Sequence, residues 1–173
     1  MKKVIIKFGL IAGVIITLSM TTVSWSESVM NSSYAAVIGY AAMVVAFSMI
    51  FVAVNNYKNN TEDGKVSFGK AFIIGLSISL IGSVFYVVTW GFVDGFSGGD
   101  FIEQYEASAM LKLKEEGATA AEIKLVKEKI ENYRERYKNP VTKMLITSTE
   151  ILPVGILVSL INAFIFMYLG RKK

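Results

Sequence analysis

Four stretches of this chain are apolar for long enough to cross a lipid bilayer, and they constrain its fold more than any other feature. They run over roughly Val4–Val23, Tyr34–Val54, Phe68–Phe92 and Leu145–Leu169. A helix rises about 1.5 Å per residue, so about 20 apolar residues are needed to cross a hydrocarbon core about 30 Å thick. In that core no water satisfies backbone N–H and C=O groups, so each segment must close its own hydrogen bonds as a helix. The expected fold class is an all-α integral membrane protein, four transmembrane helices with an amphipathic helical hairpin between helices three and four. Residues 1–96 then hold the first three spans, 97–139 the extramembrane hairpin, and 140–173 the fourth span and a basic C-terminus.

Composition narrows the chemistry. Hydrophobic residues make up 53% of the chain and the mean hydropathy is +0.50, as expected when half of a protein sits in lipid. There is no cysteine and no histidine. Disulfides, thiol nucleophiles, haem and iron–sulfur ligation and the usual zinc sites are thereby excluded, as is imidazole acid–base catalysis. No cofactor, no metal and no enzymatic activity are expected. The net charge of +4 does not point to nucleic acid, because Lys2-Lys3 and Arg171-Lys172-Lys173 bracket the chain as membrane-end charges.

Charge placement also suggests an orientation. Lys7 interrupts the first apolar run and no small-residue cleavage site follows, so the first helix is expected to be retained. The loop after it carries Glu27 and no Lys or Arg, whereas the next carries Lys58, Lys65 and Lys70. Trp25 and Trp90 fall at the other ends of spans one and three, where indole rings favour the interface. Both termini are therefore expected inside and residues 94–144 outside a bacterial cytoplasmic membrane. The nine Lys and Arg residues from Lys112 to Lys143 run against that rule, although ten acids from Asp94 to Glu135 balance them.

Inside the spans, small residues recur at helical spacing. Gly9 and Gly13 do so in the first, Gly39 and Ala46 in the second, Gly75 and Ser79 in the third, Gly155 and Ser159 in the fourth. Such faces let helices approach closely, either within one bundle or against another copy or protein. Three polar side chains are candidates for intramembrane contacts. Lys7 is near an end and can snorkel. Glu150 is either a cation or proton site or an interfacial carboxylate, near a helix start that Pro153 helps to fix. Asn162 lies deeper and needs an interhelical partner.

The charged segment reads as two amphipathic helices. Asp100 with Glu103, and Thr119 with Glu122, have capping-box spacing; Gly117 separates the helices and Asn139-Pro140 ends the second. Ile102, Tyr105, Ala109 and Leu113 form one stripe, and Ile123, Val126, Ile130, Tyr133 and Tyr137 the other. The stripes can cover each other, lie on lipid or dock a partner helix.

Several strings together carry a family likeness. They are Lys7-Phe8-Gly9-Leu10-Ile11-Ala12-Gly13, Ile38-Gly39-Tyr40, Ala46-Phe47-Ser48-Met49-Ile50-Phe51 and Val66-Ser67-Phe68-Gly69-Lys70-Ala71-Phe72. Tyr86-Val87-Val88-Thr89-Trp90, Tyr137-Lys138-Asn139-Pro140 and Glu150-Ile151-Leu152-Pro153-Val154-Gly155 complete the set. Over nearly its whole length the chain resembles domain of unknown function family 4199, bacterial membrane proteins found mainly in Bacteroidetes. The resemblance implies a four-span inner-membrane protein and transfers no catalytic residue.

The residues themselves suggest a binding or scaffolding role in the envelope, with residues 97–139 as the contact surface. Its partners are the bilayer and a protein or second copy, met through that hairpin or a small-residue face. A subunit of a small-solute or ion transport assembly is the alternative.

Overall fold

The computed structural model describes residues 1–26, 34–61, 64–96 and 101–171, and every regular element among them is a helix. In chain order they are α1 (Lys2–Trp25), α2 (Ala35–Phe47), α3 (Met49–Asn59), α4 (Phe68–Phe96), α5 (Phe101–Glu115), α6 (Ala120–Tyr137) and α7 (Pro140–Arg171). Four lengths of helix are long and apolar enough to span a membrane: Lys2–Trp25, Ala36–Asn59, Phe68–Phe96 and Pro140–Tyr168. The two shortest, at 24 residues each, extend about 36 Å at 1.5 Å per residue, enough for a bilayer core. The protein is an all-α integral membrane protein that passes the bilayer several times.

Two boundaries differ from the sequence reading. The second span is not one unbroken helix, because α2 and α3 meet at Ser48. The Ser48 N–H is shared between the carbonyls of Val44 and Val45, and the Phe51 N–H reaches back only three residues to Ser48. The Ser48 hydroxyl donates to the Val45 carbonyl at 2.6 Å. Such back-bonding tightens a helical turn while satisfying a polar group that faces outward into lipid.

The second correction concerns Pro153, which lies inside α7 rather than near its start. The helix begins at Pro140, where a missing N–H costs nothing and the ring presets the helical φ. Asn139 Oδ1 accepts from the N–H groups of Val141 at 2.9 Å and Thr142 at 3.2 Å, capping the first turn.

The chain divides into two compact units, Met1–Trp90 with Thr147–Lys173, and Gly91–Ile146. In the first, Ala12, Ala46, Phe47, Ile50, Ala53, Val54, Ile74, Ile78 and Ile151 are buried together. Val14, Leu18, Val37, Val44, Leu80, Val84 and Leu157 are exposed on its outside. An apolar exterior around an apolar core is stable only with lipid as solvent. In the second unit α5 and α6 form a hairpin that buries Ile102 and Ile130.

Candidate functional site

The bundle is assembled along two glycine-lined seams. On α4 and α7, Gly75-x-x-x-Ser79 meets Gly155-x-x-x-Ser159 reciprocally. A Cβ built on Gly75 would stand 2.7 Å from Ser159 Oγ, and one on Gly155 would stand 2.6 Å from Ser79 Cβ. Each serine thus occupies the space its opposite glycine leaves, and the two helices run antiparallel. Ser79 Oγ donates to the Gly75 carbonyl at 3.0 Å and Ser159 Oγ to the Gly155 carbonyl at 2.7 Å. The two hydroxyl oxygens are 3.3 Å apart. Further along α4, Ser83 Oγ donates to the Ser79 carbonyl at 2.8 Å.

The second seam joins α1 to α4. A Cβ on Gly9 would meet Ile81 at 2.6 Å and one on Gly13 would meet Phe85 at 2.4 Å. One turn further, the Thr17 and Thr89 hydroxyls hydrogen-bond at 3.0 Å. All three pairs share one offset along the chain, so α1 and α4 are parallel. The buried Phe47 ring closes the centre, 3.0 Å from a Cβ on Gly82 and 3.2 Å from one on Gly155. Ala46, beside it, is also buried. Gly39 differs: among the described residues nothing stands within 4 Å of the position its Cβ would take, so it forms no close helix contact with them.

The three polar candidates have separate environments. Lys7 is exposed, with Nζ 5.4 Å from the neighbouring Phe8 ring. Glu150 is exposed and accepts a 2.8 Å hydrogen bond from the Tyr86 hydroxyl across the α4–α7 seam. Asn162 is fully buried, and neither its Oδ1 nor its Nδ2 has a partner. The structure does not bring the three together. Among the described residues, no three acids gather as a metal site would require.

The hairpin is built by local chemistry. Leu113, Gly117 and Ala118 form a Schellman ending: the Ala118 N–H reaches the Leu113 carbonyl at 2.9 Å and the Gly117 N–H the Lys114 carbonyl at 3.2 Å. Gly117 has φ +69°, a left-handed conformation that suits glycine. Thr119 then starts α6 with a full capping box: its Oγ1 accepts from the Glu122 N–H at 3.3 Å, and its N–H donates to the Glu122 carboxylate at 2.8 Å. That backbone hydrogen bond holds the Glu122 carboxyl below its ordinary pKa, with the Thr119 hydroxyl adding to the effect. Asp100, expected to cap α5, lies outside the described residues.

Across the hairpin Arg134 bonds Glu106 at 2.7 Å, and within α6 it bonds Glu131 at 2.8 Å. Asp94 at the end of α4 pairs with Lys143 near the start of α7; Asp94 is buried, and the Lys143 ammonium also lies over the Tyr137 ring. Not every apolar group is covered. Tyr105, Leu111 and Leu125 are 55%, 60% and 52% exposed. At the turn, Leu113, Glu116, Gly117, Ala118, Glu122, Leu125 and Val126 line an open recess of about 350 Å³.

Gly82, Phe47, Tyr86 and the Asp94–Lys143 pair escape the sequence reading. Helical spacing from Ser79 flags Gly82, and opposite charges flanking the hairpin flag Asp94 and Lys143. Tyr86 has no local signal, because its partner lies 64 residues away. No curated protein and no solved structure matches the chain. The family model described as Protein of unknown function (DUF4199) matches residues 7–168, a stretch that reaches from the first turns of α1 almost to the end of α7. The chain belongs to the DUF4199 family.

Proposed function

We propose that this protein is a non-enzymatic docking module of a bacterial cytoplasmic membrane, with both termini inside and residues 94–144 outside. The hairpin is its contact surface and the partner is another envelope protein. One observation carries the reading. The hairpin has its own caps, ion pairs and core, yet it leaves Leu111 exposed on α5 and Leu125 exposed at the edge of a recess at its turn. A hairpin that is only a linker has no need of such stabilisation, and exposed apolar side chains around a recess are where partner anchors seat.

The test is photo-crosslinking in intact cells with a reactive residue at Leu125, compared with one at Lys127, which faces away by about 200° at 3.6 residues per turn. A protein adduct at Leu125 that is absent at Lys127, and lost from pull-downs when residues 97–139 are deleted, supports docking. Equal adducts at both positions, or unchanged pull-downs after the deletion, would sink it. The transport-subunit reading draws on Glu150, Asn162 and the serines of α4. Unchanged solute or ion flux in proteoliposomes carrying Glu150→Gln counts against it.

A further inference from the structure

Asn162 sits in α7 one turn beyond Ser159, at 0% exposure, with both side-chain polar atoms unpartnered. A primary amide brings two N–H donors and an oxygen with two lone pairs. Hydrocarbon can satisfy neither, so a bare amide in a membrane interior is strongly unfavourable. The hydroxyl one turn away does not fill the need. Ser159 Oγ is engaged with its own Gly155 carbonyl at 2.7 Å and with Ser79 Oγ at 3.3 Å, either hydroxyl being able to donate to the other. The Asn162 amide therefore calls for both a donor and an acceptor.

We propose that Asn162 binds a water molecule held inside the bundle. The water accepts from Nδ2 and donates to Oδ1 or to a seam hydroxyl oxygen. The ligand class follows from the groups present. Among the described residues, the buried polar ones in this unit are Ser79, Ser83, Thr89, Thr147, Ser159 and Asn162, all neutral, so they offer no charge to hold an ion. A molecule that both donates and accepts, and is small enough to lie between packed helices, is water. Residues three apart on a helix share a face with Cβ atoms about 5–6 Å apart, which one water can bridge from Asn162 to Ser159.

The experiment is water-to-protein polarisation transfer in solid-state NMR, on the full chain in lipid bilayers with asparagine, leucine and isoleucine nitrogen labelled. Ile161-Asn162 is the one Ile-Asn pair in the chain. Labelling the isoleucine carbonyl therefore assigns the Asn162 backbone amide without a variant, and correlation through the carbons of the same labelled asparagine carries the assignment to its side-chain amide. The expected result is transfer to the Asn162 side-chain amide several-fold faster than to the backbone amides of its outward-facing neighbours Leu157 and Ile161. Equal, slow transfer at all three sites would overturn the proposal. So would transfer to Asn162 from a co-purified solute rather than from water.

Discussion

At Gly13 the space for a side chain is already taken by the Phe85 ring, 2.4 Å from where a Cβ would stand. Gly13→Ala must push α1 and α4 apart or force the ring from its rotamer, an overpacking expected to cost about 1–3 kcal/mol. Gly39→Ala meets nothing and replaces a poor helix former by the best one, a gain of up to about 1 kcal/mol. Thermal unfolding in detergent checks both: the midpoint falls for the first and holds or rises for the second. Two glycines of the same type at similar spacing thus carry opposite predictions, and only the neighbours decide the sign. A third residue-scale prediction concerns the pair of Asp94, which is buried, and Lys143, which is partly exposed. Asp94→Asn removes the counter-charge that Asp94 supplies to Lys143 and is expected to destabilise its unit by about 1–3 kcal/mol. Adding Lys143→Met should recover most of that loss. Hydrogen exchange across Gly91–Ile146 reads both, and a double variant as weak as the single one would show that the pair is not the cause.

At the scale of the element, the hairpin carries a pH dependence with a definite sign. The ionised Glu122 carboxylate accepts the Thr119 N–H, which holds its pKa below the ordinary 4.5 in the folded state. A depressed folded pKa means that the cap contributes in full above about 4.5 and is lost as pH falls through the lower folded value. Hydrogen exchange of the Glu122 and Ile123 amides, corrected for intrinsic rates, should therefore accelerate between pH 5 and about pH 3. Glu122→Gln should flatten the curve; a flat curve in the unaltered chain would refute the capping role. This cap is legible in the sequence because its partners stand three residues apart, as is the Gly117 ending, where a left-handed residue is wanted. The membrane helices are legible because lipid demands long apolar segments. The break at Ser48 is not, since it depends on where one hydroxyl turns. Pro153 misleads for a related reason: in α7 it sits mid-helix, and Asn139 with Pro140 supplies the start that its sequence position suggested.

For the whole molecule, what the sequence leaves open is pairing across distance. Gly9, Gly39, Gly75 and Gly155 look alike along the chain, yet three meet a side chain on another helix and Gly39 meets none. Contacts such as Thr17 with Thr89 and Ser79 with Ser159 join residues 72 and 80 positions apart, which no local spacing can announce. They do settle relative direction: α1 runs parallel to α4 and antiparallel to α7, so the start of α1 and the end of α7 share one side. Which side that is follows from a contest of charges. Lys58, Lys65 and Lys70 draw the loop before α4 toward the cytoplasm, while the nine basic residues from Lys112 to Lys143 pull the hairpin the same way. The rule weighs basic residues most in short loops, and the loop before α4 is far shorter than the Gly91–Ile146 unit. With no native cysteine to interfere, Ser108→Cys and Lys65→Cys give a direct reading, both positions being exposed. In intact cells a membrane-impermeant maleimide should label position 108 and leave position 65 until lysis. The reverse pattern would turn the bundle over, place the uncovered Leu111 and Leu125 in the cytoplasm, and move the search for the docking partner there.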